Sequence, residues 1–291
     1  MEHAVSNAAA NTALGPMVIV AAEQHEPSPL IHDSVAQRLL PAGARMAVAL
    51  TRFSPARRAL VSVTDKKLRG GWASFLCRKR YIDDQLIDAV TKGIDAVVIL
   101  GAGYDTRAYR LPQLAGIPIC EVDLPANIAR KEAALRRCFG RVPSGVTLLS
   151  VDFETDNLAE RLDREGFGPA ARTFYVWEAV TQYLTERAVR KTLADLGDPA
   201  PGSGLAVTYV RKDFLDGQAM YGAEAAYQDF VVEQGLWRFG LHPEQVADFL
   251  AEYGWREREQ VGPGEYADRY LRPAGRTLTA SEIERAVYAE R

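Results

Sequence analysis

The sequence predicts an α/β fold built on an open, mostly parallel sheet. Three observations predict it. Short, β-branched apolar runs alternate with stretches of helical spacing from about Ile94 to Val210. The first run, Ala96-Val97-Val98-Ile99-Leu100, leads directly into a glycine turn, Gly101-Ala102-Gly103-Tyr104-Asp105-Thr106-Arg107. The next three runs end in acids, at Asp123, Asp152 and Glu178, and in such a sheet the carboxyl ends of the strands face one crevice.

The first run is short and bounded by glycine, as a strand buried on both faces requires. Gly101 and Gly103 let the backbone turn tightly and approach a ligand with no Cβ in the way. A GxG alone also reads as a plain strand-to-helix turn. The dinucleotide fingerprint needs a third glycine three residues later, where this chain has Thr106. Asp105 would repel a pyrophosphate and attract a sulfonium and an α-amino group, which favours S-adenosylmethionine over NAD. After a gap suited to a helix, Ile117-Pro118-Ile119-Cys120-Glu121-Val122-Asp123 reads as the second strand. Asp123 lies about twenty residues past the turn, where a cofactor ribose is gripped. Pro125 then opens a helix that carries Ile128, Glu132, Leu135 and Phe139. The third run, Val146 to Val151, ends at Asp152-Phe153, with Asp152 placed for an adenine amino group and Phe153 for the ring. The fourth, Thr173-Phe174-Tyr175-Val176-Trp177, runs into Glu178. One acid alone reads as a helix cap or a solvated turn; three in succession point to a site.

Leu100 through Arg107, Glu121-Val122-Asp123, Asp152-Phe153 and Glu178-Ala179-Val180-Thr181-Gln182-Tyr183-Leu184 resemble successive motifs of the leucine carboxyl methyltransferase family. The resemblance extends from Ser28-Pro29-Leu30-Ile31-His32-Asp33 to the segment from Ser281 to Ala289, nearly the whole chain. That family takes in protein phosphatase carboxyl methyltransferases, tetracenomycin-type polyketide carboxyl methyltransferases and actinobacterial small-molecule methyltransferases. The resemblance implies a Rossmann-like class I methyltransferase sheet with a helical N-terminal extension and a helical lid insertion, and S-adenosylmethionine as cofactor. It further implies that Gly101, Ala102, Gly103 and Asp105 contact the methionine part, Asp123 the ribose, Asp152 and Phe153 the adenine, and that Glu178 lies near the cofactor's amino end. Family members pair the cofactor carboxylate with an arginine upstream of the glycine strand. Here Arg78-Lys79-Arg80-Tyr81-Ile82-Asp83-Asp84 offers Arg78 and Arg80, of which Arg80 is preferred. Arginine suits that task because its planar fork binds a carboxylate through two hydrogen bonds. Lys66, Lys67 and Arg69 read as a solvated helix face.

Residues 1 to about 15 are rich in Ala, Asn and Ser and are expected to fray. Residues 1–92 form a helical extension and 93–291 the cofactor-binding core. Thr185 caps a helix carrying Val189, Leu193 and Leu196, which Gly197 stops. After the fifth strand, Leu205 to Val210, residues 211–240 read as a helical lid rich in aromatics, among them Phe214, Tyr221, Phe230 and Trp237. The same aromatics also fit the buried face of ordinary helices. Pro243 to Tyr253 is an amphipathic helix, and Trp255 to Val261 and Ile283 to Ala289 are terminal strands.

At 291 residues the chain can bury roughly three quarters of its unfolded surface. A net charge of -3 gives no overall pull toward nucleic acid or an anionic membrane, so neither is an expected partner. Apolar runs stop short of the ~18 residues a bilayer span needs. No export signal is visible, and a cytoplasmic location is expected. Cys77, Cys120 and Cys138 show no paired spacing, and the four histidines form no ligand cluster, so no metal site is indicated.

Methyl transfer from a sulfonium is an in-line displacement, and the enzyme's tasks are alignment and exclusion of water. The resemblance favours a small-molecule carboxylate in secondary metabolism as acceptor, which is already ionised and needs no general base. A phenol or alcohol would need one within reach. Tyr183, Tyr209 and Arg211 follow strand ends and are candidates for orienting the acceptor. Arg211 would pair with an acceptor carboxylate if it points inward; Arg211-Lys212-Asp213 otherwise reads as a solvated helix start. An NAD-dependent oxidoreductase is weakened by Thr106. A noncatalytic cofactor-binding protein would keep Asp123 and Asp152 but lack an acceptor pocket. The oligomeric state is open.

Overall fold

Strand β1 (Ala96–Leu100) is buried along its whole length, and the sheet grows outward from it. The computed structural model describes residues 14–291. The frayed start expected for residues 1–15 falls outside that range, except that Leu14 and Gly15 already belong to the first helix. Following β1 come β2 (Ile119–Asp123), β3 (Val146–Ser150), β4 (Thr173–Trp177), β5 (Gly204–Arg211), β6 (Gly240–Leu241), β7 (Arg256–Val261) and β8 (Glu284–Glu290). They form one sheet in the order β3-β2-β1-β4-β5-β8-β7, with β6 paired to β5 off that path. Strands β1 to β5 pair in parallel, whereas β8 is antiparallel to both β5 and β7. The chain runs outward from β1 to β3 and then returns to β4. That reversal opens a crevice over the tips of β1 and β4, where open α/β sheets bind ligands.

Period-2 side-chain alternation divides the strands between two apolar layers. Val97, Ile99, Phe174, Val176 and Ala206 share one cluster with helices α1 (Leu14–Glu23) and α5 (Gly71–Thr91). Between those helices lie α2 (Ala36–Leu39), α3 (Ala42–Leu50) and α4 (Ser54–Lys67). The N-terminal helices are thus a layer of the sheet's own core. Val98, Leu100, Tyr175, Trp177, Leu205 and Val207 face the other way.

The turn after β1 is followed by α6 (Arg107–Arg110), a single helical turn rather than a full helix. The residue before a proline is pushed toward extended backbone, and Leu111, before Pro112, has φ −93° and ψ 105°. Helix α7 (Pro125–Phe139) begins with its proline and ends at Gly140, whose φ is +78°. Helices α8 (Leu158–Arg164) and α9 (Glu186–Asp195) cover the second face, and Thr185 Oγ1 caps α9 by accepting the Ala188 N–H at 3.1 Å.

The lid segment is less helical than its composition suggests. It consists of α10 (Lys212–Leu215), α11 (Glu224–Ala226) and a wide-turn helical stretch, Tyr227–Glu233. Positive φ at Gly217, Tyr221 and Gly222 breaks it up. Its aromatics form a cluster of their own with Val210 and Ile283, against which Leu68 and Tyr183 pack. Phe230 and Trp237 stack at 4.8 Å with 15° between their planes, and Phe214 meets Tyr227 edge-on at 5.7 Å. Among the described residues no helix is long and apolar enough to cross a membrane.

Because Trp237 is 9% exposed, stacked on Phe230 and tilted against Phe214, its truncation removes core packing. Trp237→Ala is expected to destabilise the protein by about 3 kcal/mol or more, read as a fall of several degrees in the thermal midpoint; an unchanged midpoint would place the ring outside the core.

Candidate functional site

The site is assembled where β1 ends. Gly101 has φ +70°, and a Cβ there would stand 2.2 Å from Val180 Cγ2. Only glycine meets both conditions. The Gly101 and Ala102 N–H groups reach the Val122 carbonyl at 2.7 and 3.0 Å. Gly103, with φ +41°, donates its N–H to Asp123 Oδ2 at 2.7 Å. The turn after β1 is therefore tied to the tip of β2. Asp123 Oδ1 accepts from the Leu124 N–H and from Asn127 Nδ2, both at 2.7 Å. Burial raises the Asp123 carboxyl above its ordinary value, and these donors offset part of that rise.

Asp152 follows Ser150, the register partner of Asp123, by two residues. Its Oδ1 accepts the Glu154 N–H at 3.0 Å, which fixes it in a tight turn beside the β2 tip. Phe153 is buried and belongs to the second apolar layer with Val151 and Leu158.

At the tip of β4 the backbone is strained. Ala179 sits at φ +58°, a conformation that costs a residue with a Cβ roughly 1–2 kcal/mol. It is held there by its N–H to Thr208 Oγ1 at 2.8 Å, while Thr181 Oγ1 donates to the Thr208 carbonyl at 2.7 Å. Glu178, just before this turn, enters a buried ionic network. Arg78 Nε reaches it at 2.9 Å, Arg107 Nη1 at 2.7 Å and Lys79 Nζ at 3.4 Å. Arg78 Nη1 also binds both oxygens of Glu284, at 2.6 and 2.8 Å. Arg107 pairs with Asp105, and its Nε reaches Asp83 at 2.7 Å. Arg110 joins Asp83 at 2.6 Å to Asp33 at 3.3 Å. Behind this network Lys131 is buried against Glu121 at 3.1 Å and the Asp105 carbonyl at 2.6 Å.

Electrostatics separates these acids. Burial opposes ionisation of Asp105, but Arg107 and Lys79 outweigh it and hold its carboxyl well below the usual carboxylate range. Burial likewise opposes ionisation of Glu178, and Lys79, Arg107 and Arg78 overcome it. Both acids are ionised at neutral pH. Cys77 and Cys120 behave oppositely, since burial pushes their thiols up to about 12, which makes them inert as nucleophiles. Among the described residues no group of three or more His, Cys, Asp or Glu side chains is arranged to hold a metal ion.

The network counts four cations, Arg78, Lys79, Arg107 and Arg110, against five carboxylates, Asp33, Asp83, Asp105, Glu178 and Glu284. Asp105 and Glu178 among them are held ionised, whereas burial raises the Glu284 carboxyl despite its pairing with Arg78. S-adenosylmethionine, with one carboxylate, one ammonium and one sulfonium, carries one net positive charge at that end. The glycine cradle and this donor set fit it.

The structure brings together Arg78, Gly101, Ala102, Gly103, Asp105, Asp123, Asp152 and Glu178 at neighbouring strand tips. It does not bring Arg80. The preference for Arg80 is corrected: its Nε pairs with Asp84 at 3.0 Å, its Nη1 bonds the Leu30 carbonyl at 3.1 Å, and it lies beside the Tyr270 ring. At 100° per residue, positions 78 and 80 sit about 200° apart on α5 and cannot face one site. Arg211 is also corrected. Its guanidinium forks onto Asp213, Nε to Oδ1 at 3.1 Å and Nη2 to Oδ2 at 2.7 Å, and stacks over Tyr221 at 4.8 Å. This is the helix-start arrangement, so its charge is committed before any acceptor arrives. Tyr183 packs into the lid cluster, and the buried Tyr209 donates to Gln260 at 2.6 Å. Sequence reasoning passed over Lys79, Arg107 and Glu284. Arg107 stood in the quoted turn motif, and helical spacing on α5 would have admitted Lys79; Glu284 left no local signal.

Residues 13–197 match the model of a family described as leucine carboxyl methyltransferase. A protein of Mycobacteroides abscessus designated an S-adenosyl-L-methionine-dependent methyltransferase is 32% identical over 281 residues, covering 90% of this chain and 86% of its own. One of the same designation from Mycobacterium bovis is 31% identical over 257 residues, covering 84% and 73%. Among solved structures, one from Thermobifida fusca titled a methyltransferase aligns with a TM-score of 0.56 at 16% identity, over 81% of this chain and 88% of that one. The latter likeness concerns the fold alone.

Asp123→Ala is expected to weaken S-adenosylmethionine binding more than tenfold in isothermal titration, because a charged contact and the anchor of the Gly103 N–H are both lost. Asp123→Asn, which retains an acceptor for that N–H, should lose less; equal affinity in all three proteins would remove Asp123 from the site. A carboxyl held below its unfolded value contributes stability that is present above that value and is lost as pH falls toward the folded one. With an ordinary Glu value of 4.5, urea midpoints should drop steeply below about pH 4.5 and stay level above pH 6. Glu178→Gln should flatten that acid limb, and an unaltered slope would show that Glu178 is not one of the groups responsible.

Proposed function

The chain belongs to the leucine carboxyl methyltransferase family and is an S-adenosylmethionine-dependent methyltransferase, and from that premise we propose that it forms methyl esters on a carboxylate of a small-molecule acceptor in secondary metabolism. The observation that carries this reading is the state of the acids at the strand tips. Asp105 and Glu178 are each neutralised by buried cations and held ionised, so neither exchanges a proton near neutral pH. An acceptor that arrives already deprotonated suits such a site, whereas a phenol or alcohol needs a base.

S-adenosylmethionine supplies an electrophilic methyl group on a sulfonium, to which an acceptor oxygen bonds as the carbon–sulfur bond breaks. The chain's own residues bind and align. Arg78 donates Nε and Nη1 within the network, and its Nη2 makes no hydrogen bond to a described residue, which leaves that one nitrogen for a ligand carboxylate. Asp105 and Glu178, ionised and already paired with buried cations, would flank the ammonium. Asp123 is assigned to the ribose hydroxyls, Asp152 to the adenine amino group and Phe153 to the apolar wall beside it. Gly101, Ala102 and Gly103 keep the backbone close without side chains. The Trp237 and Tyr183 cluster closes the neighbouring side against water. Free thiols, two of them buried, support a cytoplasmic setting.

The test is a labelled-methyl assay against matched carboxylic acids and phenols. A product that releases methanol in base is expected, with kcat level from about pH 6 to 9 because no base titrates. A base-stable ether, or a rate that rises with pH through an ionisation of the enzyme, would overturn the carboxylate assignment while leaving the methyltransferase intact.

A further inference from the structure

Helices α3 and α4 expose what the rest of the surface hides. Met46 is 73% exposed, Val63 65%, Leu50 58% and Phe53 55%. They are four of the five large apolar side chains so exposed among the described residues, and all fall within one helical hairpin. Helix α4 has no buried residue along its 14 positions. Its outward positions, Pro55, Arg58, Ala59, Ser62, Val63 and Lys66, recur at helical spacing and mix small apolar with basic side chains.

Charge singles out the same hairpin. Residues 42–69 hold seven basic side chains and one acid, a net of +6 within a chain of total charge -3. The near-neutral total therefore averages away a strong local asymmetry. Elsewhere surface cations pair with acids on the same helix, as Arg136 does with Glu132 and Arg190 with Glu186. On this hairpin Arg57 and Lys67 have acidic partners from other segments, Glu26 and Asp229. Arg45, Arg58, Lys66 and Arg69 have no ion-pair partner among the described residues.

We propose that α3, α4 and the turn between them dock on the surface of an anionic lipid bilayer. Unpaired cations beside exposed apolar side chains, on helices without an acidic face, match a helix lying in the headgroup layer. A second copy of the chain fits poorly, since a symmetric contact would set +6 against +6. Nucleic acid would use the cations but leave Met46, Leu50 and Val63 without a partner. The docked face adjoins the lid, because Lys67 Nζ lies 4.5 Å from the Phe230 ring centre. The inference does not depend on which acceptor is methylated.

Co-sedimentation of the full chain with sucrose-loaded vesicles tests it. Vesicles of phosphatidylcholine with about one third phosphatidylglycerol should bind the protein at least tenfold more tightly than phosphatidylcholine alone, and half-molar salt should reverse most of that gain. The double variant R58E/K66E should lose at least tenfold in vesicle affinity, and F53S severalfold, with thermal midpoint and S-adenosylmethionine binding unchanged. Equal binding to both vesicles, binding to neither, or wild-type binding by R58E/K66E would overturn the proposal. So would a dimer in sedimentation equilibrium that F53S dissociates, since that assigns the face to self-association.

Discussion

Nine charged side chains lie together at the C-terminal edge of this sheet, and none is stable there without the others. Removing one partner from a buried ion pair costs about 3–5 kcal/mol, because the remaining charge is left in a poor solvent. Neutralising the set requires α5, the turn after β1, the tip of β4 and the start of β8 to arrive in one register, with Arg78, Asp105, Glu178 and Glu284 in reach of one another. Arg107 shows the consequence. It is buried and spans Asp83, Asp105 and Glu178, so the glycine turn is positioned from below by a guanidinium as much as by its own backbone.

The two ends of the crevice are built on different physics. At the end proposed for the methionine part, buried carboxylates and cations lie side by side, which suits a ligand carrying both signs of charge. At the end proposed for the ribose and adenine, Asp123 and Asp152 are held by neutral donors, chiefly backbone N–H groups. Their carboxylates are oriented rather than paired. A zwitterionic end and a polar, uncharged nucleoside would thereby be met by matching environments. The strained Ala179 marks the join, since its backbone turns the chain just after Glu178 has entered the network.

Beyond the crevice, the lid and the N-terminal helices meet through an aromatic cluster and the Lys67 contact. The aromatics of residues 211–240 pack as a core of their own with Val210 and Ile283. The hairpin outside it retains unburied apolar side chains and unpaired cations, a surface that water alone does not favour. Composition over the whole chain concealed this, because acids elsewhere cancel the local excess.

Strands, turns and strand-end acids were legible in the amino-acid order because each depends on neighbours. The apolar runs fall on β1, β2 and β4 to within two residues at their starts, Pro125 opens α7, and Trp255 and Ile283 stand one residue before β7 and β8. Chain order alone therefore determined the sheet, its glycine turn and the acids Asp123, Asp152 and Glu178 at the tips. Tertiary structure alone decided how charges pair. Arg78 meets Glu178 and Glu284 across 100 and 206 residues of sequence, and Lys79 meets Asp105 and Glu178 across 26 and 99. Periodicity reports which face a side chain lies on; which opposite charge waits there depends on long-range packing, and local spacing does not encode it.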